Sequence, residues 1–118
     1  LLKTRLAADG AIGIQCTSPF LARMSYWCIM HTMQDAGLAV QPYHVDVPSF
    51  GVWGFAVAKH QPFDPPTTAP SGLKFLNDAV MKSLFVFPND LRPLDTEINR
   101  LDNQILVQYY DQDISRWR

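Results

Sequence analysis

The chain has 118 residues, 47% of them hydrophobic and 18% charged, which is the size and make-up of one small folded domain and excludes a disordered chain. Ten Lys and Arg against eleven Asp and Glu leave a net charge of -1, so no basic surplus points to nucleic acid and no acidic surplus to a solvating tail. Two cysteines, Cys16 and Cys28, are too few for a disulfide framework or a zinc site and read as reduced thiols of a cytoplasmic protein. No apolar run approaches the roughly 20 residues that span a bilayer, and no signal peptide is expected.

In chain order, Leu1 to Ala8 reads as the end of a helix stopped by Asp9-Gly10, as though a longer protein preceded Leu1. Ala11 to Cys16 is short, apolar and uncharged, which predicts a buried strand. Ser18 and Pro19 suit an N-cap and a first helical position. A helix is predicted from Pro19 to Ala36, with Phe20, Met24, Trp27, Cys28 and His31 on one face and Gly37 at its end. Leu38 to Val47 alternates, with Tyr43, Val45 and Val47 on one side and His44 and Asp46 on the other. A loop at Pro48 to Gly51 leads to another strand, Val52 to Ala58. So short a loop predicts an antiparallel pair.

The stretch Gln61 to Pro70 is proline-dense and predicts an extended connector. Ser71 is read as the cap of a helix carrying Leu73, Leu76, Val80 and Leu84. Pro88 to Leu94 is irregular. A last helix is placed from about Asp95, with Ile98, Leu101, Ile105 and Tyr109 on a stripe. Strand, helix and strand predict a parallel pair with a right-handed crossover, into which the last strand inserts antiparallel. The fold class is therefore α/β, with a parallel strand pair, a reversed last strand and extra C-terminal helices. The sheet is expected to be unfinished on the side of its first strand.

The candidate chemistry is sparse. His31, His44 and His60 stand far apart without HxxxH or HExxH spacing, so no metal site is expected. Neither cysteine has a paired base, and both fit a small buried hydrophobe. His44 and Asp46 share a strand face and suit either an acid–base pair or the polar side of a half-exposed strand. No glycine-rich phosphate loop is present. Two features point further. Gln15 is an amide at the C-terminal end of an apolar strand, the end where open α/β sheets bind ligands; if buried, it needs hydrogen-bond partners. The run Val47 to Phe55 gathers three aromatics and two glycines around one turn, which fits a packed hairpin or an aromatic wall attractive to ammonium groups.

These residues carry a resemblance. Pro42-Tyr43-His44-Val45-Asp46-Val47-Pro48-Ser49-Phe50-Gly51, followed by Trp53-Gly54-Phe55, resembles a block of the spermidine synthases, the polyamine aminopropyltransferases. Leu6 to Gln15, the helix Trp27 to Gly37, and Asn99 to Asn103, which resembles a tail of long bacterial members, extend the likeness to nearly the whole chain. The likeness matches only the C-terminal portion of the family. It implies a Rossmann-like methyltransferase fold whose seven-stranded sheet ends in an antiparallel strand. It divides the chain into 1–60, the C-terminal half of the sheet domain, 61–70, the connector, and 71–118, a helical extension.

The implied reaction moves an aminopropyl group from decarboxylated S-adenosylmethionine to putrescine, giving spermidine and methylthioadenosine. Gln15 matches a glutamine that lines the family's active site. Phe50 stands where relatives wall the polyamine channel with an aromatic, often a tyrosine, so a hydroxyl is absent here. Trp53 matches an apolar residue bordering the channel. The glycine-rich loop, the acidic ribose ligand and the catalytic aspartate lie upstream in relatives, so this segment is expected to bind no cofactor and to be inactive alone, and no catalytic residue is assigned within it. Decarboxylated S-adenosylmethionine is the co-substrate of the parent. The expected partners are a small polyamine and further copies of the chain, with membrane contact only through an N-terminal region such as some long bacterial relatives carry. A fragment of an S-adenosylmethionine-dependent methyltransferase and a non-catalytic interaction module are the alternatives.

Overall fold

The computed structural model describes residues 1–117. A short helix, α1 (Leu2–Arg5), precedes strand β1 (Ile12–Gln15). Helix α2 (Arg23–Asp35) leads to β2 (Ala39–Val47) and β3 (Gly51–Lys59). The long C-terminal segment holds α3 (Asp78–Leu84), a 3-10 turn at Asn89–Leu91, and α4 (Ile105–Ser115). This is a mixed α/β arrangement around a small sheet of order β1-β3-β2.

Both ladders are antiparallel, which corrects the expected parallel pair. β1 and β2 run in the same direction but share no ladder, because β3 lies between them. The reversed last strand is therefore present, and it separates the two strands that were expected to pair. β2 and β3 follow from sequence directly. The alternation from Ala39 matches a pleat. Pro48 and Ser49 form the turn closed by Phe50 N–H donating to Val47 O at 2.9 Å, with Ser49 at φ 69°.

The sheet's two faces have different cover. Ala56 and Ala58 of β3 are buried, and Ala56 lies in the core under α2 with Ile14, Val40 and Phe87 packed against it. Tyr26, Trp27, Met30 and Cys16 complete this core. Small residues on β3 let α2 approach closely. The opposite face carries the row Gln15–Phe55–Tyr43 in register across all three strands. Tyr43 and Phe55 stack at 5.3 Å with 15° between their planes. α3 and the proline connector roof the β2 side of this face. They leave an apolar cleft of about 320 Å³ whose lining includes Tyr43, Pro66, Leu76 and Met81.

Four helix expectations are corrected. α2 starts at Arg23 rather than Pro19, because Ala22 adopts φ −130° and separates a preceding turn from the helix. Ser18 caps that turn instead, its Oγ accepting from Phe20 N–H and Leu21 N–H. Phe20 is consequently not core but 46% exposed, and its ring packs on Trp117. The buried residues of α2 are Ser25, Tyr26, Trp27, Cys28 and Met30, so two of the five residues assigned to its core face are buried. The cap of α3 is Asn77 rather than Ser71. Gly72, at φ +81°, breaks the chain first, and Asn77 Oδ1 accepts from Val80 N–H at 2.9 Å.

α4 begins at Ile105 rather than near Asp95. The end of the 3-10 turn at Leu91 and a strap over 92–99 without regular structure instead have their backbone bonded by side chains of α2. Arg23 donates to Arg92 O and Trp27 Nε1–H to Leu91 O, while Thr32 Oγ1 accepts from Asn99 N–H at 3.0 Å. Those bonds replace the intrahelical ones. Leu101, placed on a helical stripe, is 95% exposed in the turn that follows.

Candidate functional site

Gln15 ends β1 opposite Phe55, and the pairing runs one step further. Cys16 N–H donates to Gly54 O at 2.8 Å and Gly54 N–H to Thr17 O at 2.7 Å. The hairpin tip therefore projects beyond the C-terminal end of β1. That places Gln15, Trp53 and Phe50 at one end of the sheet. Gln15 and Trp53 occupy odd positions of the ladder and so share the face that carries Phe55 and Tyr43. Phe50 sits on the tip, 68% exposed, with its ring edge-on to Trp53 at 6.2 Å and 76°.

Gln15 is exposed, which corrects the premise that its amide is buried and in need of internal partners. The amide is open to solvent or to a ligand. The first residue after the buried Cys16 is unusual as well. Thr17 sits at φ +41°, a region that a β-branched residue enters at a cost of about 1–3 kcal/mol. Strain of that kind persists only where neighbours fix the backbone, here through the Gly54 bond.

The three site side chains offer aromatic faces and an amide, and none is a carboxylate or imidazole. Aromatic faces attract ammonium groups by about 0.5–2 kcal/mol, and an amide carbonyl accepts from them. The wall suits binding and orienting an amine. It has no group to take a proton from one. Tyr43 and Phe55 extend the wall inward, and the alternation that put Tyr43 on one side of β2 was the signal for the former. Burial, reinforced by Cys16, raises the Tyr43 hydroxyl above its ordinary range.

The other candidates separate in space. His31 Nδ1 bonds Thr96 Oγ1, His44 Nε2 donates to Val86 O at 2.7 Å, and His60 Nε2 donates to Leu6 O. Among the described residues no group of three His, Cys, Asp or Glu stands together. His44 and Asp46 share a face, but His44 is committed to Val86 and packs on Phe87 at 4.8 Å while Asp46 is exposed. Cys16 and Cys28 are buried. Burial pushes the Cys16 thiol up to about 11 and raises that of Cys28, so both stay protonated at neutral pH. Among the described residues no helix is long and apolar enough to cross a membrane.

An aromatic hairpin stands beside a strand-end amide at one end of a small sheet on a mixed α/β scaffold. No family model matches the chain. Individual proteins do. It is 47% identical to a polyamine aminopropyltransferase of Leptospira interrogans over 98% of its own length and 23% of the relative's. It is 43% identical to polyamine aminopropyltransferase 2 of Ralstonia nicotianae over 96% of the chain and 22% of that protein. With the polyamine aminopropyltransferase of Mycobacterium tuberculosis the identity is 41% over 87% and 20%. The chain belongs to the polyamine aminopropyltransferase family, and it spans less than a quarter of the length of these relatives.

Proposed function

We propose that this chain is the C-terminal part of an aminopropyltransferase and supplies one wall of its amine site. Its sheet is read as the end of a Rossmann-like methyltransferase sheet. The observation that carries the reading is the convergence of Gln15, Trp53 and Phe50 at the C-terminal end of β1. In the proposed reaction the neutral nitrogen of putrescine attacks the aminopropyl methylene of decarboxylated S-adenosylmethionine. A C–N bond forms, the C–S bond breaks, and sulfur keeps the electron pair as methylthioadenosine. The amine's proton leaves to a base supplied by the preceding part of the protein, as do the contacts to the nucleoside. Spermidine is the product.

The role of this segment is then orientation rather than proton transfer. Trp53 and Phe50 flank the alkyl chain and its distal ammonium, and the Gln15 carbonyl accepts from an amine N–H. Turnover of radiolabelled putrescine tests the reading. The full-length protein is expected to form spermidine, and residues 1–118 alone are expected to form none. A full-length protein inert toward putrescine but able to transfer a methyl group from S-adenosylmethionine would replace this reading with that of a methyltransferase.

A further inference from the structure

The end of α4 reaches across to the loop that follows Gln15. Asp113 is buried, with 1% of its surface exposed. Its Oδ2 accepts both Ser25 N–H at 2.9 Å and Ser25 Oγ–H at 2.7 Å. Ser25 lies in the first turn of α2, whose own N-cap residue, Ala22, makes no side-chain cap bond. Asp113 therefore caps α2 from another helix, 88 residues away, and sets a carboxylate against the positive end of the helix. Just beyond α4, Trp117 Nε1–H donates to Leu21 O at 2.8 Å, and its ring lies 5.3 Å from that of Phe20. Two residues of the C-terminal segment thus grip Phe20, Leu21 and Ser25.

The gripped segment begins at the candidate site. Gln15 is followed by Cys16 and by Thr17, which is held in the left-handed region. One end of this stretch is fixed by the Gly54 ladder bonds. The other end is fixed by Ser18, whose carbonyl accepts from Ala22 N–H, and then by Asp113. A strained residue needs restraint on both sides, and α4 provides the downstream half. Among the described residues Asp113 Oδ1 is buried without a hydrogen-bond partner, so the carboxylate is held on this side by Ser25 alone.

We infer that Asp113 is a positioning residue for the amine site: acting through Ser25, it holds the Thr17–Ala22 loop and with it the setting of Gln15. The inference rests on the proposed amine-binding role of Gln15, and its test separates the two. Steady-state kinetics of the full-length enzyme would compare Asp113→Ala with Asp113→Asn, which keeps an acceptor. Asp113→Ala is expected to raise KM for putrescine about tenfold while KM for the aminopropyl donor holds, and Asp113→Asn to stay near wild type. An unchanged putrescine KM in folded Asp113→Ala overturns the inference, as does a fall in kcat alone.

Hydrogen exchange gives an arm independent of activity. Amides of the Thr17–Ala22 loop are expected to exchange faster in Asp113→Ala while β2 and β3 keep their protection. Equal protection of the loop overturns the inference. Should Asp113→Ala fail to fold, Ser25→Ala removes one of the two donors, and an unchanged putrescine KM there overturns it equally. A wild-type enzyme that turns over no amine sinks the functional reading, and the exchange arm then decides the positioning by itself.

Discussion

The ring of Tyr26 lies directly on Gly54, and a Cβ added at Gly54 would stand 2.6 Å from Tyr26 Cδ2 and 2.9 Å from Pro19 Cδ. This contact seats α2 on β3. It also lets the Tyr26 hydroxyl reach into the sheet, where it lies 2.9 Å from Phe55 O and 3.1 Å from Tyr43 O. A fully buried hydroxyl thus shares its one proton between the backbone carbonyls of both hairpin strands. The face beneath the candidate site is fixed from below by this one side chain.

Gly54→Ala is therefore expected to destabilise the fold by about 1–3 kcal/mol, since neither a packed ring nor a proline can move aside cheaply. Tyr26→Phe is expected to cost about 1–2 kcal/mol, the worth of the lost hydrogen bond and of carbonyls left short of a donor. Urea unfolding of the full-length protein, followed by hairpin-sensitive Trp53 fluorescence, checks both. A neutral Gly54→Ala would mean that α2 does not seat on β3 as described.

Alkaline stability gives a second check. Burial raises Cys16 from 9.0 to about 11 and also raises Tyr26. In each case the folded state holds its proton more tightly than the unfolded chain. The stabilisation is whole below pH 9, where both states are protonated, and declines as the pH rises toward 11. The urea midpoint is expected to fall across that window. Cys16→Ala, although less stable at pH 7, is expected to show a shallower decline. Parallel curves for the two proteins would rule out the buried-thiol contribution.

Local signals carried the hairpin. Alternation marked β2, the Pro48–Ser49 turn marked the reversal, and Gly37, at φ +92°, marked the end of α2. Gln15 and the Val47–Phe55 run stood out as candidates because they mark a strand end and a turn, whereas the roles proposed for Phe50 and Trp53 rest on the family resemblance. What escaped was long-range. Nothing in the periodicity of 95–101 shows that His31 and Thr32, more than 60 residues earlier, would bond Thr96 and Asn99 and hold residues 95–99 out of a helix. The apolar spacing that suggested a helix there marks no shared face, since Ile98 is half-buried while Leu101 is exposed. The order β1-β3-β2 was equally hidden at the level of pairing, because β1 pairs with β3 40 or more residues further along the chain.

The outer edge of β1 carries no ladder among the described residues. Unpaired strand edges recruit further strands. Residues 1–118 in isolation are expected to self-associate through this edge, with an apparent mass in light scattering that rises with concentration. A monomer at every concentration would show that the four-residue strand is too short to act as a template.

Gln15→Leu probes amine binding by Gln15 and the Phe50–Trp53 hairpin. The substitution removes the amide from an exposed strand end, so it should leave the fold intact. In the full-length enzyme KM for putrescine is expected to rise about tenfold, with KM for decarboxylated S-adenosylmethionine unchanged, as loss of one hydrogen bond to a charged or ionising group implies. A Gln15→Leu enzyme with wild-type KM for putrescine would remove this end of the sheet from the amine site.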